Sequence, residues 1–424
     1  MNIYFIGIGG KAMGPLAEFA EDAGAKVFGS DISRDLMIDE LVERGIAVNV
    51  GEQDGVFLEK TFNEQGIDWL VHSSAIKDDH PELAKARELG IKTSKRAKLI
   101  NHFVKEYDLE MIAVAGTHGK TTTTAMISWA FQSLGISVSH LIGAPIDFAP
   151  SGKFVKDSNI FIYEADEYDR NFLEFSPTVS TITTMDYDHA DIYPSRENYI
   201  EAFKQFCDQS GKVFTWLPIA KKLGLENNEK MVALDATSPE INLPGLHNRQ
   251  NATLAFEILK RGLEEPDFKI AIALNKYPGS KQRFEKLAEN LYSDYAHTPE
   301  EIVATLQMVS EVAKPNQKII AIYSGLTNAR QHEIVANNGF HNIFDDVSKL
   351  YWLPTFLARE NPDQKVLAPE EMIETLSGSA KAKTESAEIN DEFLNGIKQH
   401  LINSDLVIFL GPDDMWLREF VKNQ

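Results

Sequence analysis

Residues 111–131 read Met-Ile-Ala-Val-Ala, then Gly116-Thr117-His118-Gly119-Lys120-Thr121-Thr122, then a run with Ala125, Met126, Trp129 and Ala130 on one side. An apolar strand, a glycine-bearing turn and the first turn of a helix make an anion site, because backbone N–H groups and the helix dipole converge on one point. Lys120 adds a mobile positive charge for the β/γ-phosphates, and the hydroxyl of Thr121 beside it is of the kind that holds Mg²⁺. The strict phosphate-loop spacing has glycine where Val114 stands, so this is a shortened variant of that loop.

Two acidic clusters lie beyond it. The apolar run 159–163 ends in Glu164-Ala-Asp166-Glu167-Tyr168-Asp169, which has four carboxylates in six residues. The run 179–185 ends in Asp186-Tyr-Asp188-His189-Ala-Asp191. The carboxyl end of a parallel strand is where Mg²⁺ ligands usually stand. Two such clusters after a phosphate loop point to metal-assisted phosphoryl transfer.

The elements that must position these groups follow an α/β rhythm. At the N-terminus a strand over 3–8 runs into Gly7-Ile-Gly9-Gly10, a helix follows from about Lys11 to Ala23, and a second strand ends at Ser30-Asp31. Gly7, Gly9 and Ala12, with Asp31 about 20 residues on, fit the nucleotide fingerprint loosely. A further strand over 69–74 ends in Ser73-Ser74-Ala75. Strand–helix alternation predicts parallel, doubly wound sheets that bind ligands at the strands' carboxyl ends, here Gly7–Gly10, Asp31 and Ser73–Ala75. The first unit alone would also suit a nicotinamide-dependent oxidoreductase, a reading that leaves Lys120, Glu164 and His189 without a purpose.

The totals bound the answer. At 424 residues the chain is long enough for two to four domains, and 43% hydrophobic with 25% charged residues is an ordinary globular balance. A formal net charge of −21 argues against a nucleic-acid partner. The lone Cys207 excludes an internal disulfide and the cysteine-rich zinc patterns. Neither a signal peptide nor a membrane-spanning run is evident, so the expected setting is cytoplasmic and off the membrane.

Ala115-Gly-Thr-His-Gly-Lys-Thr-Thr-Thr123 resembles the ATP site of the Mur ligases, and other motifs follow in that family's order. Phe5-Ile-Gly-Ile-Gly-Gly10, Gly29-Ser-Asp31, and Ser73-Ser-Ala-Ile76 with Pro81-Glu82 resemble its UDP-binding domain. Glu164-Ala-Asp-Glu167 and Asp188-His-Ala-Asp191 resemble its acidic motifs. Gly245-Leu-His-Asn-Arg-Gln-Asn251-Ala resembles its Gly-x-His-Asn-x-x-Asn-Ala motif, and Tyr277-Pro-Gly-Ser-Lys-Gln-Arg283 its linker. The resemblance implies a UDP-sugar-binding Rossmann-like domain over 1–108, a central ATP-binding domain over 109–274 and a C-terminal Rossmann-like amino-acid domain over 275–424. It implies that Gly116–Thr122, Asn248, Asn251, Arg283 and Asp294 bind ATP. Thr121 and Glu164 would hold one Mg²⁺, and Glu164 with His189 a second. Lys120, Glu164 and His189 would be the catalytic group. Gly7, Gly9, Gly10, Asp31, Ser73, Ser74, Ala75, His297 and Arg330 would bind the substrates.

The implied activity, strongest toward the alanine-adding branch, joins L-alanine to the carboxylate of UDP-N-acetylmuramate through an acyl phosphate. This is a step of peptidoglycan synthesis, with closure of the domains excluding water and the chain acting as a monomer or weak homodimer. The tripeptide-reattaching branch of cell-wall recycling and a non-catalytic nucleotide-binding relative remain as alternatives. Glu167-Tyr168, Asp188-His-Ala-Asp191-Ile and Thr327-Asn328 favour the first, and departures from the pattern suggest the second. Ser293 stands where the family's Asp-Asp-Tyr-x-His-His-Pro has its first Asp, Thr298 replaces its second His, and the loop 324–330 lacks the alanine ligase's His-Arg pair. The stretch between His189 and Gly245 is short for the family, so strands are expected to be missing there. Residues 381–388 read as a polar surface loop.

Overall fold

The computed structural model describes residues 1–357, 360–361 and 363–423. It contains three sheets, each with helices between its strands. The first has β1 (Asn2–Ile6), β2 (Lys26–Asp31), β3 (Ala47–Val50), β4 (Trp69–His72) and β5 (Lys92–Lys95), all parallel, in the order β3-β2-β1-β4-β5. The order reverses between β1 and β4, and there the Gly7 loop and the Ser73–Ser74 turn follow their strands, the position where such sheets bind ligands.

The second sheet is built from β6 (Glu110–Ala115), β7 (Ser139–Leu141), β8 (Gly152–Lys153), β9 (Ile160–Glu164), β10 (Val179–Ile182), β11 (Lys212–Trp216) and β12 (Met231–Leu234), in the order β12-β11-β10-β6-β9-β7-β8. β6 sits between β10 and β9, parallel to both. The phosphate loop therefore emerges between the two strands that end in the acidic clusters. The short stretch after His189 still supplies β11 and β12 with the helices Arg196–Gln209 and Leu217–Leu223.

The third sheet holds β13 (Glu285–Ala288), β14 (Leu291–Asp294), β15 (Ile319–Leu326), β16 (Lys349–Phe356), β17 (Thr384–Ser386) and β18 (Leu406–Leu410), in the order β13-β14-β18-β15-β16-β17, with β13 alone antiparallel to its neighbour. Residues 381–388 are thus not a loop. They end the helix Gly378–Lys381 and form edge strand β17, whose polar sequence is that of a strand with one exposed flank.

The chain forms two compact units, Met1–Ile241 with Gln250–Pro278, and Asn242–Arg249 with Gly279–Gln424. The first two sheets share the first unit because one apolar core runs through both. Phe19 on the helix Met13–Asp22 meets Phe103, Phe154 and Phe161 at ring separations of 5.3–5.4 Å. The same helix turns Glu18 inward, where it accepts the Gly152 N–H at 2.8 Å. Among the described residues no helix is long and apolar enough to cross a membrane.

Glu18 is 2% exposed, and burial pushes its carboxyl up to about 7 despite the Gly152 N–H and Arg44 at 3.5 Å. A carboxyl that holds its proton more tightly folded than unfolded stabilises the fold fully below its unfolded pKa, about 4.5, and loses that contribution as pH rises through about 7. Glu18→Gln, neutral throughout, should therefore raise the melting temperature at pH 8 by about 2–4 °C and leave it unchanged at pH 5. Equal shifts at both pH values in differential scanning fluorimetry would refute the buried-proton account.

Candidate active site

At the end of β6 the backbone of Gly116 has φ +131°, and a Cβ there would lie 2.3 Å from Thr183 Oγ1 and 2.8 Å from the Thr184 carbonyl oxygen. Glycine is required here both by conformation and by space. The loop is fixed from the neighbouring strand: His118 N–H donates to Thr184 Oγ1 at 2.8 Å, and Thr117 Oγ1 donates to the Asp186 carbonyl at 2.7 Å. Gly119, φ +81°, starts the helix Lys120–Ser133, with Asn251 packed where its Cβ would be. Thr122 is half-buried in the helix's first turn. Gly116→Ala should weaken nucleotide binding tenfold or more, since forcing that geometry costs about 2 kcal/mol. Calorimetric titration with Mg-ADP that finds unchanged affinity would show the loop adapts.

Lys120 is not the mobile cation its loop position suggests. Its side chain is 15% exposed, and Nζ donates to the Gly116 carbonyl at 2.6 Å, to the Thr117 carbonyl at 3.2 Å and to Glu167 Oε1 at 3.1 Å, with Glu167 Oε2 at 2.9 Å. Burial opposes its charge, but the Glu167 carboxylate outweighs burial and holds the ammonium above its ordinary pKa. Thr121 Oγ1 donates to Glu164 Oε1 at 2.8 Å, and Glu164 Oε2 accepts the Gly143 N–H at 2.8 Å. A hydroxyl and a carboxylate converging beside a phosphate loop are the hard oxygen donors Mg²⁺ selects, so this pair fits the ion.

His189, with φ +57°, is not brought to Glu164. Its Nε2 lies 3.4 Å from Glu167 Oε1 and 3.9 Å from Asp188 Oδ2, and the ring packs edge-on against Tyr168. Burial pulls its pKa down, but the Glu167 and Asp188 carboxylates outweigh burial and the net shift is upward. The imidazole follows the buried negative charge of Glu167, while the Glu164 oxygens are engaged by Thr121 and Gly143. Among the described residues no three His, Cys, Asp or Glu side chains form a metal-binding group.

On the first sheet, Gly7 with φ +71° and Ile8 donate their N–H groups to the Ser30 carbonyl, and Gly9 N–H donates to Asp31 Oδ2 at 2.9 Å. Asp31 thus braces its own glycine loop. Gly10 N–H turns back to the Gly7 carbonyl, ahead of the helix Met13–Asp22. Beneath the loop Ser30 Oγ and Tyr4 OH both donate to the fully buried Glu82 at 2.6 Å, a brace that only the Pro81-Glu82 motif hints at. Ser73 is half-buried, Ala75 is exposed, and Ser74 Oγ donates to Asp169 Oδ2 at 2.5 Å. Lys95 reaches that same oxygen, and Arg96 pairs with Asp166 at 2.9 Å. Glu167, Lys95 and Arg96 are site residues that sequence reasoning passed over. Glu167 reads as one acid in a run, and the two bases stand at the end of a strand that bears no motif.

The second unit gathers the remaining candidates. Asn248 Nδ2 donates to the Pro244 carbonyl at 3.3 Å and lies 3.1 Å from Met308 Sδ, whereas Asn251 is buried in the first unit. Asp294 is buried with both oxygens engaged, by Phe284 N–H at 2.7 Å and Ala296 N–H at 2.8 Å, and burial pushes it up to about 6. It holds the loop that carries Arg283, whose guanidinium lies 5.1 Å from the Tyr295 ring centroid. His297 is lowered by burial first, and by the positive charges of Arg330 and Arg283, while Glu301 opposes. Arg330 stands in the first turn of the helix Asn328–Ala336, 28% exposed, 3.1 Å from Glu333.

The departures from the family's motif have local reasons. Ser293 donates to Asp414 Oδ2 at 2.7 Å, where a second carboxylate would be repelled. Thr298 caps the helix Pro299–Val312 in a reciprocal box with Glu301. Asn328 accepts the Leu367 N–H and donates to the Lys365 carbonyl, so it supports a loop.

A phosphate loop between two acid-tipped strands, with a glycine loop at the switch point of a second parallel sheet, defines a nucleotide-dependent enzyme of the phosphoryl-transferring kind. The chain belongs to the Mur ligase family, whose catalytic domain matches residues 2–108 and whose middle domain matches residues 114–223, and it is an ATP-dependent, ADP-forming ligase. It is 30% identical over 455 residues to the UDP-N-acetylmuramate–L-alanine ligase of Clostridium perfringens, covering 98% of this chain and 96% of that one. The fold is similar to that of the UDP-N-acetylmuramate-alanine ligase of Thermotoga maritima, with TM-score 0.77 and 24% identity over 100% of this chain and 99% of that one. The murein peptide ligase of Psychrobacter arcticus follows at TM-score 0.65 and 21% identity, also over 100% and 99%.

Proposed function

We propose that this chain joins L-alanine to the carboxylate of UDP-N-acetylmuramate in peptidoglycan precursor synthesis. The observation that carries the reading is the convergence of Lys120, Thr121 and Glu164 at the phosphate loop, in a chain similar over nearly its whole length to alanine-adding ligases. The γ-phosphate of ATP passes to the substrate carboxylate to give an acyl phosphate. The amine of the amino acid then attacks the acyl carbon, phosphate leaves, and the amine gives up a proton as the amide forms.

Gly116–Thr122, with Asn251 behind Gly119, cradle the phosphates, and Lys120 offsets the charge that gathers on them during transfer. Thr121 and Glu164 would hold Mg²⁺, which would supply Lewis-acid stabilisation of phosphate charge when bound. Gly7, Gly9, Gly10 and the Ser73–Ala75 turn hold the sugar nucleotide at the switch point of the first sheet, with Asp31 bracing the loop. Asn248, Arg283 and Asp294 are assigned to the nucleotide, Asp294 by fixing the Arg283 loop, and His297 with Arg330 to the amino acid. The three sheets correspond to three functional modules over 1–108, 109–274 and 275–424. The enzyme works in the cytoplasm as a monomer or weak homodimer, without nucleic acid or membrane.

Phosphate release from Mg-ATP with UDP-N-acetylmuramate tests this reading. Turnover with L-alanine supports it. Turnover only with the L-Ala-γ-D-Glu-diaminopimelate tripeptide would assign the chain to the recycling branch. Silence with both, with ADP still bound, would make it a non-catalytic relative.

A further inference from the structure

The acidic stretch after β9 divides its carboxylates among different partners. Glu164 turns to Thr121 and Gly143, Asp166 to Arg96, and Asp169 to Ser74 and Lys95. Glu167 turns inward and is 1% exposed. Its Oε2 lies 2.9 Å from Lys120 Nζ and its Oε1 3.4 Å from His189 Nε2. The residue itself is anchored from behind, because Tyr193 OH donates to its backbone carbonyl at 2.5 Å.

A carboxylate so buried is held only because opposite charge meets it, and here burial would raise its pKa but Lys120 and His189 together bring it down. We propose that Glu167 is a positioning residue for phosphoryl transfer: its carboxylate fixes Lys120 and His189 at one point behind the phosphate loop. The proposal rests on the reading that ATP's phosphate is transferred at this loop.

The physical consequence is asymmetric. Without the negative charge, Lys120 keeps the Gly116 and Thr117 carbonyls as acceptors and is freer to follow a bound phosphate. Ground-state nucleotide binding therefore survives or tightens. The fixed cation that the transferring phosphoryl group needs is lost, because stabilisation specific to the transition state depends on preorganisation. The loss falls on kcat.

Glu167→Gln keeps the shape and removes the charge. Turnover at saturating substrate should fall at least 30-fold, while the affinity for Mg-ADP by calorimetry stays within threefold of wild type or tightens. Lys120 should also be reductively methylated at least fivefold faster, read by mass spectrometry on folded protein. Glu167→Asp, which retains the charge, should recover most of the Lys120 protection and part of the turnover. It also serves as the measurable variant if the glutamine form is poorly folded. Turnover within threefold of wild type would overturn the proposal. So would a fall in turnover matched by an equal loss of ADP affinity, which is what general loosening produces. Lys120 labelling is read whether or not UDP-N-acetylmuramate is turned over. An inactive wild type would count against the proposed reaction, and unchanged labelling in Glu167→Gln would by itself overturn the role of Glu167.

Discussion

Lys120→Ala is expected to cut phosphate release from ATP by 10³-fold or more and to lower the melting temperature as well. The first effect follows from the charge the ammonium offsets during transfer: losing such a preorganised group costs about 4 kcal/mol of transition-state stabilisation. The second follows from what the lysine does at rest. Its removal leaves Glu167 buried with only His189 opposite, and breaking one side of a buried pair costs about 3 kcal/mol. Placed on a loop by sequence alone, the residue looks removable without harm to the fold. Buried against a carboxylate, it is not. The double variant Lys120→Ala/Glu167→Gln separates the effects, because it removes the unpaired charge and should regain most of the melting temperature while remaining inactive. Turnover within tenfold of wild type in Lys120→Ala would exclude the phosphate site described here. A double variant no more stable than the single one would exclude the unpaired-charge argument.

Local pattern carried much of this fold. The strand–glycine–helix units at residues 2–22 and 110–133 were legible because a buried parallel strand is a continuous apolar run and its loop needs glycine at fixed places. Edge strand β17 was not legible, because its exposed flank gives it the composition of a loop. Within the site, residue types were readable and partners were not. Glu164 and His189 look like a pair of metal ligands by the family's motifs, and Glu167 reads as one more acid in the run. Only the path of the backbone decides that Glu164 meets Thr121 and Gly143 while Glu167 meets Lys120 and His189. Ser293 reads as a missing carboxylate, yet Asp414, 121 residues on, places a carboxylate within hydrogen-bond distance of it. Long-range pairings of this kind leave no trace in one sequence.

The second unit yields the other large expectation. Arg330→Ala should raise KM for the amino acid by about 10–100-fold, the range expected when a charge-assisted hydrogen bond worth about 1.5–3 kcal/mol is removed. KM for ATP should stay within threefold. The reason lies in the side chain's restraint. Arg330 is 28% exposed and pairs with Glu333, on the same helix and itself 59% exposed. An exposed pair of that kind contributes little, so Glu333 itself is a weak competitor for an incoming carboxylate. Arg283 differs. It lies by the Tyr295 ring on the loop that Asp294 grips through the Phe284 N–H, and its charge also reaches Asp294. Arg283→Ala should therefore raise KM for ATP more than KM for the amino acid, the reverse of the Arg330 result. Steady-state kinetics on both variants, with each substrate varied in turn, reads the crossing directly. Parallel shifts in the two constants for Arg330→Ala would remove it as the carboxylate anchor and leave His297 as the remaining candidate in that part of the unit.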